Sequence, residues 1–274
     1  MKKINFIKMQ SLGNDFVIID NLKKSHKLYK KDIKKISDRH HGVGCDQILV
    51  LEKSIKKDIA FHYRIYNKDG TQSGQCGNGA KCVARYYFDN YSKRKKEIKI
   101  ETLTNKMVLT NINNNHIKVE MGVPSFNIKD KVSKKNNFTY KGNKLFFESV
   151  SIGNPHAVFI LKNVETIDLD DFAEKFNSKK IFKKGVNISV IQNIRKNNWK
   201  ARIYERGSGI TNACGSAACA ISAVAKKNLA NSSKDIYIHM KGGKAHVEWS
   251  GNSKDPMYLF GESEYIFNGT LEIK

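Results

Sequence analysis

One short arrangement of residues occurs twice in this chain of 274 residues. The stretch "RIYNKDGTQSGQCGNGAKC" begins at residue 64, and "RIYERGSGITNACGSAAC" begins at residue 202. A single displacement of 138 positions aligns Arg, Ile, Tyr, Cys and Gly of both copies without a gap. A second pair, "GNDFVII" from residue 13 and "GNPHAVFI" from residue 153, is displaced by 140. We infer an internal duplication, which favours two similar domains in a chain long enough for both.

The residue pattern predicts an α+β fold. Short β-branched and alternating segments are typical of strands, and a helical segment follows each Cys-Gly pair. The order Gly-Asn, helix, strand, strand, Cys-Gly and helix recurs in both halves, which places the boundary near "EMGVPSF" at residues 120–126. The predicted domains are therefore residues 1–120 and residues 121–262, the second an internal duplicate of the first.

The formal charge of +23 raises the question of a nucleic-acid partner. The lysines are spread along the whole chain in short clusters, with no basic helix, no aromatic-basic RNA-binding strand and no zinc-finger spacing. We therefore interpret the charge as a solvated surface and predict no nucleic-acid partner, with a polyanion-binding module kept as the alternative from a different class.

The cysteines and the N-terminus bear on cellular location. No apolar run approaches the ~20 residues of a membrane helix, and the first residues lack the core of a signal peptide, so a cytoplasmic protein with no membrane contact is predicted. Five cysteines, an odd number, argue against a secreted disulfide framework. Cys45, Cys82 and Cys219 are interpreted as buried packing residues. The cysteine spacings do not fit a metal site, so no metal is predicted.

The doubled Cys-Gly turn is the strongest chemical signal. Cys76 and Cys214 each precede a helix, whose N-terminal N–H groups favour an anion and should stabilise a thiolate, with Asn78 and Ser216 expected to help cap it. Inversion at a carbon centre requires one group to remove a proton from one face and a like group to deliver a proton to the other. Matched cysteines meet that requirement without any cofactor, so no cofactor is predicted. Isolated buried cysteines would serve packing alone.

Five segments together resemble the diaminopimelate epimerase family: "MQSLGNDFVIID", "RHHGVGCDQILVLE", the two Cys-Gly stretches and "SIGNPHAVFIL". The resemblance implies a cofactor-independent isomerase that interconverts LL- and meso-2,6-diaminopimelate, on the route to lysine and peptidoglycan. It also implies two pseudo-symmetric lobes, each a curved mixed β-sheet around a central helix, with the active site in the cleft between them. In that fold a last strand, about residues 263–274, returns to the first lobe.

The resemblance implies roles for individual residues of this sequence. Cys76 and Cys214 match the two acid/base thiols, and His156 matches a position that tunes a nearby thiol. Glu205 and Arg206 match the residues that hold the distal ammonium and carboxylate of the substrate. The other implied substrate contacts are backbone or side-chain groups of Asn14, Gln47, Asn67, Gly77, Asn78, Asn154, Asn187, Gly215 and Ser216.

Two related alternatives remain open at this point. A racemase similar to the proline racemases would also use two cysteines, and a cofactor-free isomerase of the same fold would not depend on them. Glu205 and Arg206 favour a substrate with a second zwitterionic end, which proline lacks. Ile210, Asn212 and Ala217 depart from the usual family pattern near the second cysteine. A homodimer is a further prediction that the sequence leaves open.

Overall fold

The computed structural model describes residues 2–23, 26–113, 115–228 and 233–273. The chain separates into two units: unit 1 comprises Met1–Glu120 and Gly261–Lys274, and unit 2 comprises Met121–Phe260. β-Strands dominate the described residues, which contain four α-helices. The predicted α+β fold class is confirmed.

Unit 1 contains an eight-stranded sheet with one additional short strand. The helices are α1 (Lys30–Ser37) and α2 (Gly77–Tyr91). The strands are β1 (Lys2–Ser11), β2 (Asn14–Asn21), β3 (Gln47–Glu52), β4 (Phe61–Asn67), β5 (Gln72–Ser73), β6 (Glu97–Glu101), β7 (Lys106–Asn113), β8 (His116–Gly122) and, from the end of the chain, β18 (Glu264–Ile273). Neighbouring pairs run β18–β1–β2–β3–β4–β6–β7–β8 and are antiparallel except β2–β3 and β4–β6, while β5 pairs with β4.

Unit 2 has the same pattern of pairing. Its helices are a short 3-10 helix (Val164–Thr166), α3 (Leu169–Ser178) and α4 (Gly215–Asn228). Its strands are β9 (Asn137–Tyr140), β10 (Asn143–Ser151), β11 (Pro155–Ile160), β12 (Asn187–Arg195), β13 (Asn198–Glu205), β14 (Gly209–Thr211), β15 (Asp235–Met240), β16 (Gly243–Glu248) and β17 (Met257–Glu262). The order β9–β10–β11–β12–β13–β15–β16–β17 is antiparallel except β11–β12 and β13–β15, and β14 pairs with β13.

One helix in each unit packs against several strands. α2 contacts β1, β2, β3 and β7, and α4 contacts β10, β11, β12, β15 and β16. Alanine and other small side chains occupy most of the buried positions of α4, so the strand side chains can approach its backbone closely. Each of these helices begins directly after a predicted acid/base cysteine.

The opposite faces of the sheets carry the other helices. In unit 1, Ile33 and Ile36 of α1 pack with Val17, Ile19 and Ile48 of the sheet. In unit 2, α3 contributes to an aromatic core whose rings meet mainly edge to face, an arrangement that stabilises aromatic pairs beyond their buried area. The phenylalanines of that core are Phe138, Phe147, Phe159, Phe172, Phe176 and Phe182. Each sheet is therefore covered on both faces.

Gly79, in the first turns of α2, provides a test of this packing. A Cβ atom at residue 79 would lie 2.3 Å from Tyr63 Oη and 3.1 Å from Leu49 Cδ1. We expect Gly79→Ala to lower the free energy of unfolding by about 1–3 kcal/mol because the added methyl overpacks the core, despite the better helix propensity of alanine. Urea unfolding followed by circular dichroism measures the change. Asn90→Ala, at the exposed end of the same helix, is the control, and equal midpoints for the two variants would contradict the prediction.

Candidate active site

Three of the predicted substrate contacts of unit 1 lie at adjoining strand ends. Gln47 begins β3 and is the register partner of Asn67, which ends the antiparallel neighbour β4. The Gln47 amide donates to Asn67 Oδ1 at 3.0 Å. Asn14 begins β2 and donates through Nδ2 to Asp46 Oδ2 at 2.7 Å, so it is held next to the start of β3. The fold brings these three amides together.

A network of charges supports the same corner of unit 1. Arg39 donates to both oxygens of Asp15, at 3.0 and 2.7 Å, and to Asp46 at 3.1 Å. The buried ammonium of Lys8 donates to Asp15 at 2.5 Å, and Lys68 forms an ion pair with Asp46 at 3.3 Å. Burial opposes ionisation of Asp15, but the hydrogen bonds and charges of Arg39 and Lys8 prevail and lower its pKa to about 2. Both carboxylates are therefore compensated by cations.

Cys76 caps helix α2 with its own sulfur. The residue has extended backbone angles, and its Sγ accepts a hydrogen bond from Gly79 N at 3.3 Å. The expectation that Asn78 caps this helix is wrong, because Asn78 lies within the first turn and the preceding cysteine occupies the cap. The Cys76 sulfur thus lies directly over the N-terminal N–H groups, where an anion is stabilised.

Asn78 is buried without compensation from the protein. It is 1% exposed, and neither atom of its side-chain amide has a hydrogen-bond partner among the residues that the structure describes. A buried amide in that state is costly unless a ligand or water completes it. Gly77 and Asn78 form the first turn of α2, so the helix begins at the glycine of the Cys-Gly pair rather than after it.

Cys214 lies in the equivalent position of unit 2 but in a different environment. Its Sγ lies 3.4 Å from Ser216 Oγ, and it accepts a hydrogen bond from the Ala217 backbone, three residues on. Burial raises the pKa of Cys214 well above its ordinary value, and the charge of Glu205 raises it further, while the bonds from Ser216 and Ala217 only partly oppose this. The expectation that the helix N-terminus stabilises a thiolate is wrong for Cys214 in this structure, because desolvation and a neighbouring carboxylate outweigh the helix.

Glu205 is the last residue of β13 and Arg206 follows it, and their side chains have different hydrogen-bond partners. The Glu205 carboxylate accepts from Thr211 Oγ1 at 2.7 Å and hydrogen-bonds the Cys214 thiol. The Arg206 guanidinium donates to the carbonyls of Lys184 and Gly185, at 3.0 and 3.4 Å. The Glu205 carboxylate therefore contacts the Cys214 thiol, whereas the Arg206 guanidinium contacts backbone carbonyls.

Asn187, Asn154 and His156 join the same group of residues. Asn187 Oδ1 accepts from the Arg206 backbone at 2.9 Å, and Asn187 is the register partner of His156 on the parallel strand β11. His156 is fully buried, with Nε2 3.1 Å from Asn154 Oδ1. Burial, with a smaller effect from the Arg206 charge, lowers the pKa of His156 to about 3. The imidazole is therefore neutral at physiological pH.

The remaining cysteines have no access to solvent. Cys45, Cys82 and Cys219 are each 0% exposed, and none of the five cysteines is in a disulfide. Burial raises the pKa of Cys45 to about 11 and that of Cys82 further. Within the described ranges no group of three or more His, Cys, Asp or Glu side chains is arranged to bind a metal ion. No described helix is both long and apolar enough to cross a membrane.

Sequence reasoning missed the residues that hold these groups. Thr211, Thr71 and Asp46 bond directly to predicted substrate contacts. The signal that could have identified two of them is positional, because Thr71 and Thr211 both lie a few residues beyond the matched positions 67 and 205. Arg39 and the carbonyl of Gly185 gave no such signal.

Alkylation of the native protein tests the assigned thiol environments. Only Cys76 of the five is more than marginally accessible, so we expect limiting iodoacetamide at pH 8 to modify Cys76 at least about tenfold faster than any other cysteine. Peptide mass spectrometry against time measures the rates, and the urea-unfolded chain is the control in which all five react. Comparable labelling of Cys76 and Cys82 in the native protein would contradict this.

The buried imidazole of His156 predicts a pH dependence of stability. The folded pKa is depressed to about 3 from 6.5, so between these values the unfolded chain binds the proton and the folded chain does not. Its contribution to stability is complete above pH 6.5 and is lost as the pH falls below it, by about 2 kcal/mol at pH 5. Urea unfolding of the wild type and of His156→Gln at pH 7.5 and 5 measures the difference.

The wild type should lose more stability on acidification than His156→Gln. Replacement of the exposed His40 by Gln is the control and should retain the wild-type slope. Equal slopes for wild type and His156→Gln would show that this imidazole is not held neutral.

Comparison with known proteins gives a consistent result. The family model described as diaminopimelate epimerase matches residues 6–127 and 148–266. A protein of Blochmanniella floridana named diaminopimelate epimerase is 38% identical over 278 residues, covering 98% of this chain and 100% of the relative. A protein of the same name from Buchnera aphidicola subsp. Acyrthosiphon pisum (strain APS) is 38% identical over 280 residues, covering 99% of this chain and 97% of the relative.

Solved structures share the fold at low sequence identity. A phenazine biosynthesis protein of the PhzF family from Bacillus anthracis has a TM-score of 0.75 at 17% identity, with both chains covered completely. A hydroxyproline epimerase from Agrobacterium vitis, solved with trans-4-hydroxy-L-proline, has a TM-score of 0.73 at 10% identity, covering 98% of this chain and 92% of that one. These similarities extend over the whole described fold.

Proposed function

Because the chain belongs to the diaminopimelate epimerase family, we propose that it interconverts LL- and meso-2,6-diaminopimelate with Cys76 and Cys214 as the two proton carriers. The chain is an isomerase. The observation that supports the mechanism most directly is the repeated cap: in each unit a cysteine sulfur accepts the N–H three residues on, at the N-terminus of the helix that packs against the sheet.

The proposed mechanism requires both thiols to reach one substrate carbon from opposite faces. The Cys76 thiolate takes the Cα proton, and the Cys214 thiol gives its proton to the other face, leaving Cys214 as thiolate and Cys76 as thiol. The roles exchange in the reverse reaction. The raised pKa of Cys214 supports this starting state, because that thiol keeps its proton at neutral pH.

The helix N-termini would hold the carboxylate of the reacting carbon. The N–H groups that begin with Gly77 and Asn78, and with Gly215 and Ser216, are suited to an anion, and neutralising that carboxylate lowers the cost of negative charge on the adjacent carbon. Asn78, with its uncompensated buried amide, is the side chain of this group with most to gain from a ligand.

The distal end of the substrate would meet Arg206. A guanidinium suits a carboxylate, and this one donates to two backbone carbonyls. Asn187 holds the backbone N–H of the same arginine. The bond between Glu205 and the Cys214 thiol favours a place for Glu205 at the reacting carbon, rather than at the distal ammonium that the resemblance implied. His156 would act on the nearby thiol as a neutral imidazole. Asn14, Gln47, Asn67 and Asn154 would complete the polar contacts.

The two units differ where the two ends of the substrate differ. Asn67 and Lys68 of unit 1 match Glu205 and Arg206 of unit 2 in the duplicated stretch. One end of diaminopimelate reacts while the other is only held, so unequal partners suit it. A proline-type racemase is the second candidate, but proline has no second carboxylate for Arg206 to bind. We further propose a cytoplasmic role in lysine and peptidoglycan precursor synthesis without a cofactor; a homodimer stays a prediction.

Epimerisation in D₂O tests the proposed function. We expect LL-diaminopimelate to become meso-diaminopimelate with solvent deuterium at the inverted carbon, because a thiol exchanges its proton with solvent. Cys76→Ala and Cys214→Ala should each reduce kcat at least about a thousandfold, whereas Cys45→Ala should retain near wild-type kcat. Chiral chromatography with mass spectrometry measures both. Near-normal turnover by either single variant would exclude the two-thiol mechanism, and turnover of proline but not diaminopimelate would favour the second candidate.

A further inference from the structure

We propose that Asp46 and the pair Asp69–Thr71 are positioning residues that turn the carbonyl oxygens of Asn14 and Gln47 toward an ammonium group of the substrate. The inference rests on the proposed function and names which part of the substrate the amides of unit 1 recognise. It follows from the direction of hydrogen bonds, which fixes whether each amide offers a donor or an acceptor.

Asp46 fixes the orientation of Asn14. An ionised carboxylate only accepts hydrogen bonds, so the amide group that contacts it must be the NH₂. The distance from Asn14 Nδ2 to Asp46 Oδ2 is 2.7 Å, and the other oxygen of Asp46 is occupied by Arg39 and Lys68. Asn14 Oδ1 therefore faces away from Asp46 as an acceptor, and no described residue donates to it.

Asp69 fixes the next amide through Thr71. The Thr71 hydroxyl donates to Asp69 Oδ1 at 2.6 Å, and the Thr71 N–H donates to the same oxygen at 2.8 Å. These two bonds lower the pKa of Asp69, so it is ionised at neutral pH. Because its single proton is given to the carboxylate, the Thr71 oxygen can only accept from Asn67, whose Nδ2 lies 3.1 Å away.

The orientation of Asn67 then determines that of Gln47. With Nδ2 turned to Thr71, Asn67 presents Oδ1 to Gln47, and Gln47 must donate through Nε2, at 3.0 Å. The other atom of that amide, Gln47 Oε1, is left as an acceptor. It is buried and has no partner among the residues described.

Two carboxylates thus leave two amide oxygens without donors at the corner of unit 1 described above. A buried unpaired acceptor is costly, and a ligand that brings N–H donors would remove that cost. An ammonium group brings three donors and no acceptor, whereas a carboxylate would be repelled by carbonyl oxygens. The chemistry of the corner therefore selects an ammonium end of diaminopimelate.

The experiment reverses the orientation without removing a substrate contact. Thr71→Val removes the hydroxyl that holds Asn67, and Asp69→Asn lets the hydroxyl turn toward Asn67, so in both variants Gln47 can rotate and present its NH₂ to the ammonium. We expect KM for diaminopimelate to rise roughly tenfold, with kcat within about threefold of wild type, because a hydrogen bond to a charged group is lost in binding. Asp46→Asn should raise KM similarly through Asn14.

Two further variants separate this role from a structural one. Thr71→Ser keeps the hydroxyl and should retain the wild-type KM. Thr110→Val removes a comparable hydroxyl, which donates to Glu97 on the neighbouring strand at 3.4 Å and orients none of the three amides. This variant should leave KM and kcat unchanged. The side-chain ¹⁵N–¹H resonances of Gln47, assigned by their loss in Gln47→Asn, should shift in Thr71→Val without substrate and stay in place in Thr71→Ser.

The outcomes are distinguishable from those for the proposed function. An inactive wild type would overturn the proposed function, and the resonance shifts would still report the orientation of the amides. A wild-type KM in Thr71→Val, a fall in kcat at constant KM, or unshifted Gln47 resonances would overturn this inference while leaving the epimerase reaction in place.

Discussion

The hydrogen bond from a backbone N–H to a cysteine sulfur, at the N-terminus of a helix packed on its sheet, is the interaction around which each unit is organised. It occurs at Gly79 in unit 1 and at Ala217 in unit 2, each three residues beyond its cysteine. In unit 1 the packing leaves no room for a side chain at this position, because even one methyl would strike Tyr63. The sulfur and the N-terminal N–H groups of the helix therefore belong to the same turn, so the proposed proton carrier and the proposed carboxylate site are held together.

The two caps share a geometry and differ in electrostatics. Cys76 is half-buried, whereas Cys214 is buried beside Glu205 and keeps its proton. A helix N-terminus stabilises negative charge by a modest amount, and complete desolvation of a thiol acts more strongly in the opposite direction. The two cysteines therefore occupy equivalent positions at their helices, but the burial and the charges around each thiol differ.

The sequence predicted the fold class because its evidence is local and repeated. Alternating strands, the helices after each Cys-Gly pair and the constant displacement of 138 positions are all visible without coordinates. The details of the site were less accessible. Asn78 was expected to cap α2, but the sulfur of Cys76 occupies the cap. The pKa of Cys214 depends on burial and on the Glu205 carboxylate, which lies next to the thiol only once β13 and α4 are packed together. The direction of the hydrogen bonds that link Asp69 to Gln47 likewise depends on strand register, which residue types do not reveal.

The guanidinium of Arg206 is held by neutral groups, which has a consequence for anion binding in the proposed site. Its guanidinium rests on two peptide carbonyls, and no described carboxylate forms an ion pair with it. In the proposed site, a substrate carboxylate would therefore bind Arg206 without first displacing a side-chain carboxylate. The orientation of the guanidinium is thus set by main-chain carbonyls before any anion binds in the proposed site.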